Sequence, residues 1–293
     1  MIRAVVQQLR VRQWTKNLVL FAGVIFAHES RDPQALARAA AGFLAFCLLA
    51  SVVYILNDII DVESDRVHPK KRHRPLASGR ISLGIAWAML VLLLMGGGVL
   101  SIQLGTRFAM VAGGYLLLNI LYTLLLKRIA MVDVLSISVG FVLRAVAGVA
   151  VLLNPVDLSP WLLLCTFFLA LFLAVGKRRN ERVLLQDQAG QHRRTLSDYP
   201  PELVDQMIPV VTAATVISYS IYTVAPGTIE RVGGPQLVYT VPFVVYGVFR
   251  YLFLVFRRLQ GGSPSDTLLT DVPTLLNVVL WLGAVLLILY GRG

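Results

Sequence analysis

Long apolar stretches recur along the whole chain, at about 14–28, 36–61, 82–104, 108–126, 132–153, 160–182, 204–225, 236–257 and 272–290, with breaks at polar, Pro or Gly clusters. Segments of this length must satisfy their own backbone hydrogen bonds in lipid, which favours helices. The expected fold is therefore all-α, a polytopic membrane helical bundle of about nine transmembrane helices, in one integral membrane domain covering 1–293. A composition of 57% hydrophobic and 15% charged residues excludes an ordinary soluble domain. The first stretch is the exception, because its apolar core of about ten residues is too short to span an untilted bilayer. Arg3, Arg10, Arg12 and Lys16 before LVLFAGVIFA imitate a secretory signal. No small-x-small cleavage site follows, so this stretch is expected to be a first helix that leans on its neighbours or lies partly at the interface.

The formal net charge is +11, but the basic residues sit in short loops between apolar runs rather than along one soluble face. That distribution points to anionic lipid headgroups and phosphorylated substrates, and away from nucleic acid. Of 27 Lys and Arg residues, only Arg31, Arg38, Arg107, Arg231 and Arg292 fall on the side opposite the N-terminus, and Arg144 lies within an apolar stretch. By the positive-inside rule the N-terminus and the long loops 62–81 and 183–203 face the cytoplasm of a multi-pass plasma-membrane protein. Cys47 and Cys165 both lie in apolar runs and read as packing residues. His28, His68, His73 and His192 form no i,i+4 pair, which argues against zinc chemistry.

The stretch from Asn57 to Gly79, NDIIDVESDRVHPKKRHRPLASG, ends an apolar run in a cluster of acids. On a helix Asn57, Asp58, Asp61 and Asp65 fall within about 100° of each other, with Glu63 opposite. Three carboxylates and an amide in one quadrant repel one another unless a cation lies between them, and hard oxygen ligands suit Mg2+. Solvation at a helix end would explain a single Asp, but four on one face at the edge of a membrane segment mark a functional site. Mg2+ in turn implies a phosphorylated ligand.

Other polar groups are arranged within the apolar stretches. Lys177, Arg178 and Glu181 occupy an arc like that of Asn57, Asp58 and Asp61, a weak sign of two related halves. Asp133 and Arg144 share a helix face, the base about 16 Å deeper than the acid. Tyr115, Asn119, Tyr122 and Thr123 share another, just before Lys127 and Arg128. Interhelical hydrogen bonding explains the Tyr and Asn residues as well as ligand contact does, and Lys127 and Arg128 can equally be topology determinants.

The run Asn57-Asp58-x-x-Asp61-x-x-x-Asp65, a basic loop, and Arg74-Pro75-Leu76-Ala77-Ser78-Gly79 together resemble the first signature of the UbiA superfamily of intramembrane prenyltransferases. Within it the likeness is to the polyprenyl-phosphate phosphoribosyltransferases, carried by Arg12-Gln13-Trp14-Thr15-Lys16-Asn17, Lys71-Arg72-His73-Arg74-Pro75, Gly176-Lys177-Arg178-Arg179-Asn180-Glu181, His192-Arg193, Leu196 with Tyr199, and Leu268-Leu269-Thr270-Asp271. Aromatic prenyltransferases of the superfamily carry a second Asp-x-x-x-Asp motif where this chain reads Lys177-Arg178-Arg179-Asn180-Glu181. Bases can grip phosphate directly where a metal cannot be held.

The resemblance implies Mg2+-dependent transfer of 5-phosphoribose from phosphoribosyl diphosphate to a decaprenyl or other polyprenyl phosphate, with release of diphosphate, for cell-wall arabinan precursors. On this expectation Asp58, Asp61 and Asp65 hold metal with Asn57 assisting, and Lys177 acts with them in catalysis. Lys16, Lys71, Arg72, Arg74, Lys127, Arg178 and His192 bind phosphates, while Tyr122, Asp133, Arg144 and Glu181 complete the substrate site. A homo-oligomer is compatible with the sequence. Two rivals are aromatic prenyl transfer, which the missing second Asp pair opposes, and a carrier for a phosphorylated lipid or metabolite, which a triple-Asp metal site opposes.

Overall fold

A computed structural model describes residues 2–27, 32–69, 71–153, 158–185, 198–257 and 270–291. Every regular element among them is helical. They are α1 (Ile2–Leu9), a 3-10 segment (Val11–Leu20), α2 (Phe21–Phe26), α3 (Pro33–Ile60), α4 (Val62–Val67), α5 (Leu83–Gln103), α6 (Thr106–Leu124), α7 (Val132–Ala150), α8 (Pro160–Leu185), α9 (Pro201–Val224), α10 (Pro226–Val232), α11 (Val241–Arg257) and α12 (Val272–Tyr290). Short 3-10 turns at Lys71–His73, Leu126–Arg128 and Pro235–Thr240 complete the set. Among the described residues eight helices are long and apolar enough to cross a membrane: α3, α5 to α9, α11 with the turn before it, and α12. The chain divides into two compact units, Met1–Leu125 with Leu143–Val156, and Leu126–Val142 with Asp157–Gly293.

The first unit is built on α3. Asp32 starts this helix by accepting from the backbone N–H groups of Gln34 (2.9 Å) and Ala35 (3.3 Å), with Pro33 at the first helical position. The helix packs against α5, α6, α1 and the 3-10 segment. Its core contains Phe46, 5.7 Å from Phe108 in an edge contact and 5.0 Å from Tyr115. Arg38 ties the far ends of two other helices, donating to the carbonyls of Leu104 after α5 and Val151 after α7, where the partial negative charge of a helix terminus favours a cation.

The first apolar stretch departs from the expected helix at 14–28. It is a ten-residue 3-10 segment followed by only six residues of α-helix. The cause lies in side-chain spacing and a close backbone approach. In a 3-10 helix every third residue shares one edge, so Trp14, Asn17 and Leu20 face the same way. Trp14 donates to Ser51 (3.1 Å) and Asn17 to the Cys47 sulfur (3.3 Å), both on α3. Beyond them a Cβ on Gly23 would lie 2.2 Å from the Gly148 carbonyl, and one on Gly148 would lie 2.0 Å from the Leu20 carbonyl oxygen. Only glycine permits this contact.

The second unit packs α9 along α8, and α11 against α12. Its core gathers Phe172, Val175, Tyr199, Val204, Ile208, Val248, Tyr251 and Val255, with Phe172 and Tyr251 in edge contact at 5.3 Å. Asp271 caps α12 through Thr274 N–H (3.1 Å) and pairs with Arg250 of α11 (2.7 Å).

Candidate active site

A continuous helix would hold Asp58 and Asp65 on one face but about 10 Å apart along its axis, too far to share a cation. The structure solves this by ending α3 at Ile60. Asp61 leaves helical geometry (φ −93°, ψ 8°), and its carbonyl accepts from the Ser64 hydroxyl and the Asp65 N–H, both at 2.8 Å. The chain turns there into α4. The face shared by four residues is thus replaced by a bend, and the bend brings the buried Asp58 and Asp65 to a single atom. Arg74 Nη1 donates to Asp58 Oδ1 at 3.1 Å and to Asp65 Oδ2 at 2.5 Å. Asn57 and Asp61 flank this pair and are half-buried.

The Arg74-Pro75-Leu76-Ala77-Ser78-Gly79 stretch is the device that aims this guanidinium. Leu76 is buried with Ala4, Val52, Ile55, Ile81, Ala86 and Leu90, anchoring the turn in a small core. Ser78 closes it by donating its N–H (2.9 Å) and hydroxyl (2.8 Å) to the Arg74 carbonyl, and Gly79 supplies the positive φ of 73° that ends it. Lys71, from the 3-10 turn before it, places Nζ 3.8 Å from Asp65 Oδ1.

Two residues that sequence reasoning did not assign to the site come from the N-terminal helix and the junction after it. Gln8 is fully buried and donates to Asp58 Oδ2 at 2.9 Å, and Arg10 donates to Asp58 Oδ1 at 2.5 Å. Arg10 has left-handed backbone geometry (φ 53°, ψ 47°) at the junction of α1 and the 3-10 segment, and its guanidinium lies 4.9 Å from the Tyr54 ring centre. The only sequence signal for Arg10 was its place in the basic N-terminal cluster; Gln8 left none, because an amide in a short amphipathic helix has many uses.

Among the described residues no three His, Cys, Asp or Glu side chains gather closely enough to hold a metal. The donor chemistry nevertheless fits a hard divalent cation. Two carboxylate oxygens converge on one positively charged atom, Arg74 Nη1. Gln8 Oε1, buried beside Asp58, has no hydrogen-bond partner, an orphan that a cation or a donor on a ligand would satisfy.

Of the remaining expected site residues of the first unit, Lys16 is half-buried and reaches the side chain of Tyr54, whose ring Arg10 also faces. Arg144 is buried, donating to Asn17 Oδ1 and to the Tyr115 hydroxyl, each at 2.8 Å, so its charge is solvated by a polar network within the unit. Arg72 is exposed against His73, and Tyr122 is half-buried near the end of α6. His192 lies outside the described residues.

In the second unit Arg178 is buried, donating Nε to Asp133 Oδ2 (2.9 Å) and Nη1 to Glu181 Oε2 (2.6 Å). Tyr199 donates its hydroxyl to Asp133 Oδ1 (2.5 Å) and accepts from the Met131 N–H (2.8 Å). Burial and the neighbouring Asp133 push the Tyr199 hydroxyl far above its ordinary pKa, so it stays a donor. The structure thus gathers Asp133, Arg178 and Glu181, and it pairs Arg178 with both carboxylates. Lys177 places Nζ 3.7 Å from Glu181 and is partly exposed. Lys127 is half-buried in the 3-10 turn before α7. Arg179 stacks over Phe256 at 3.8 Å and pairs with Asp205 at 2.7 Å.

This chain is similar to known proteins. Decaprenyl-phosphate phosphoribosyltransferase of Corynebacterium glutamicum is 32% identical over 97% of this chain and 86% of its own length. The protein of the same name from Mycobacterium tuberculosis is 31% identical over 97% of this chain and 94% of its own length. A solved UbiA homolog from Archaeoglobus fulgidus, bound to GPP and Mg2+, superposes with a TM-score of 0.73 over 98% of this chain and 99% of that one, at 20% identity. An apo UbiA homolog from Aeropyrum pernix gives 0.68 over 93% of this chain and 98% of that one, at 16% identity. The model of the UbiA prenyltransferase family matches residues 18–266. With eight membrane-length helices, this chain is a multi-pass membrane protein that belongs to the UbiA prenyltransferase family.

Proposed function

We propose that the protein transfers 5-phosphoribose from phosphoribosyl diphosphate to a polyprenyl phosphate, releasing diphosphate, as a step toward cell-wall arabinan. The substrates are those implied by the names of its near-full-length relatives. The observation that carries the chemistry is the convergence of Asp58 and Asp65 on one cationic atom among Arg10, Lys71 and Arg74. Such a site suits a divalent cation together with a polyanion.

On this reading Asp58 and Asp65, helped by Asn57, Asp61 and Gln8, hold Mg2+. Bound there, the ion supplies Lewis-acid stabilisation of a departing diphosphate. Arg74 and Lys71 contribute positive charge to the same leaving group, from positions set by the Leu76 anchor. The lipid phosphate is already an anion, so its attack on the anomeric carbon requires no general base. In the second unit Lys177 binds phosphate, while Arg178, held by Asp133 and Glu181, fixes the helix end that carries it. We place the protein in the plasma membrane with its N-terminus and the Asp58 cluster on the cytoplasmic side, as the distribution of Lys and Arg supports.

Incubating purified protein with polyprenyl phosphate, phosphoribosyl diphosphate and Mg2+ tests this by mass spectrometry of the lipid. The expected result is a lipid heavier by one phosphoribosyl group. Polyprenyl phosphate left unchanged by folded protein would contradict it.

A further inference from the structure

Both carboxylate oxygens of Asp58 are hydrogen-bonded. Oδ1 accepts from Arg10 and Arg74, and Oδ2 accepts from Gln8. A carboxylate oxygen has two lone pairs, so Oδ1 is fully used by two guanidinium groups. A cation can bind there only if one of them leaves. The two are not equivalent. Arg74 is also held by Asp65 at 2.5 Å, so it stays in the cluster if its longer bond to Asp58 is lost. Arg10 pairs with Asp58 alone among the acids of the cluster, is about a quarter exposed, and comes from a left-handed residue between two short helices. Left-handed geometry in a residue other than glycine is costly and persists where surrounding contacts enforce it. Loss of the Asp58 contact removes one of them, while the Tyr54 ring face, 4.9 Å away, remains to receive the guanidinium.

We infer that Arg10 and a divalent cation are alternatives at Asp58 Oδ1, and that the displaced Arg10 becomes a partner of the diphosphate, coupling metal binding to donor binding. This rests on the metal–diphosphate reading of the Asp58 cluster. Local charge gives the coupling its sign. Arg10, Arg74 and Lys71 balance Asp58, Asp65 and the flanking Asp61. A divalent cation by itself leaves the cluster with two surplus positive charges, which like-charge repulsion opposes. A diphosphate, with about three negative charges at neutral pH, cancels it and offers Arg10 a bidentate acceptor in exchange for Asp58. Gln8, fully buried with Oε1 unpartnered, stays in place beside Asp58 to meet whichever cation is present.

The test is Mn2+ binding to the full-length protein in detergent, followed by electron paramagnetic resonance in phosphate-free buffer. Two variants, Arg10→Asn and Arg10→Gly, are used because both residues tolerate positive φ; Asp58→Asn reports whether the signal comes from this site. Wild type is expected to bind Mn2+ weakly, and both Arg10 variants about tenfold more tightly, within the usual range of a coupling between sites. Added inorganic diphosphate, corrected for its own complex with Mn2+, is expected to tighten Mn2+ on wild type and to have much less effect on the variants. Equal or weaker Mn2+ binding by both variants, with Asp58→Asn still abolishing it, overturns the inference and leaves the metal reading intact. Binding that Asp58→Asn does not reduce, or no binding to any form, overturns both.

Discussion

The two units each bury a carboxylate against an arginine, yet they do so with different commitment. In the first, Asp58 and Asp65 are held by Arg10 and Arg74, which are each about a quarter exposed and come from a junction and a loop. In the second, Arg178 is buried on α8, clamped by Asp133 from α7 and by Glu181 one turn along its own helix. Tyr199 closes that cluster from the other side. An ion pair whose members can reach water and alternative partners is suited to exchange. One buried at both members, as Arg178 and Asp133 are, is suited to holding elements in place, because removing a partner leaves a buried charge less compensated. The same pair of residue types therefore reads as chemistry in one place and as construction in the other.

The largest expected effect breaks the comparison at its chemical end. Asp58→Asn should lower transfer activity by about a thousandfold while leaving the melting temperature in detergent near that of wild type, since it weakens the hold on the metal that would stabilise the leaving group. Full activity in this variant would move the chemistry elsewhere. At the other end, Asp133→Ala leaves the buried Arg178 one carboxylate short and should cost about 1–3 kcal/mol of stability, read as a lowered thermal transition. An Asp133→Ala protein as stable as wild type would mean that Arg178 is not a lock.

A third expectation concerns the framework beneath the first cluster. Gly148→Ala puts a methyl group 2.0 Å from the Leu20 carbonyl oxygen. It should destabilise the first unit by about 1–3 kcal/mol, with activity lost in proportion to folding. The smallest effect is a pH dependence in the second unit. The Arg250 guanidinium, with help from Thr274, holds the Asp271 carboxyl well below the usual carboxylate range. A depressed folded-state value means that the unfolded chain takes up the proton first as pH falls. The stability from this pair is therefore fully present above the unfolded pKa of about 3.9 and lost below it, toward the folded value. Arg250→Met should flatten the melting temperature against pH between about 5 and 2, and an unchanged profile would show that the pair contributes nothing.

Much of this architecture was legible in the sequence because lipid imposes a coarse and strict rule. Eight of the nine apolar stretches became membrane-length helices, with ends displaced by a few residues. The ninth failed for a local reason: Trp14, Asn17 and Leu20 at three-residue spacing, together with the Gly23 and Gly148 contact, select a 3-10 segment. Periodicity counts apolar residues and is blind to such backbone proximity. At the site, Asp58, Asp65 and Arg74 were visible as a motif, but angular arithmetic on one continuous helix could not show that Asp61 bends the chain. Gln8 and Arg10 were missed because their contacts to Asp58 span 50 and 48 residues of sequence. Arg178 looked like a phosphate ligand because its carboxylate partner, Asp133, is distant in sequence as well.

The most direct measurement follows the phosphorus atoms themselves. A 31P NMR time course of purified protein with phosphoribosyl diphosphate, polyprenyl phosphate and Mg2+ should show diphosphate and a new lipid phosphodiester rising together. Both signals should be absent when any one component is omitted, and absent in folded Asp58→Asn protein. Diphosphate appearing without the phosphodiester, or the phosphodiester forming at wild-type rate in Asp58→Asn protein, would contradict the assignment of phosphoribosyl transfer to the Asp58 cluster.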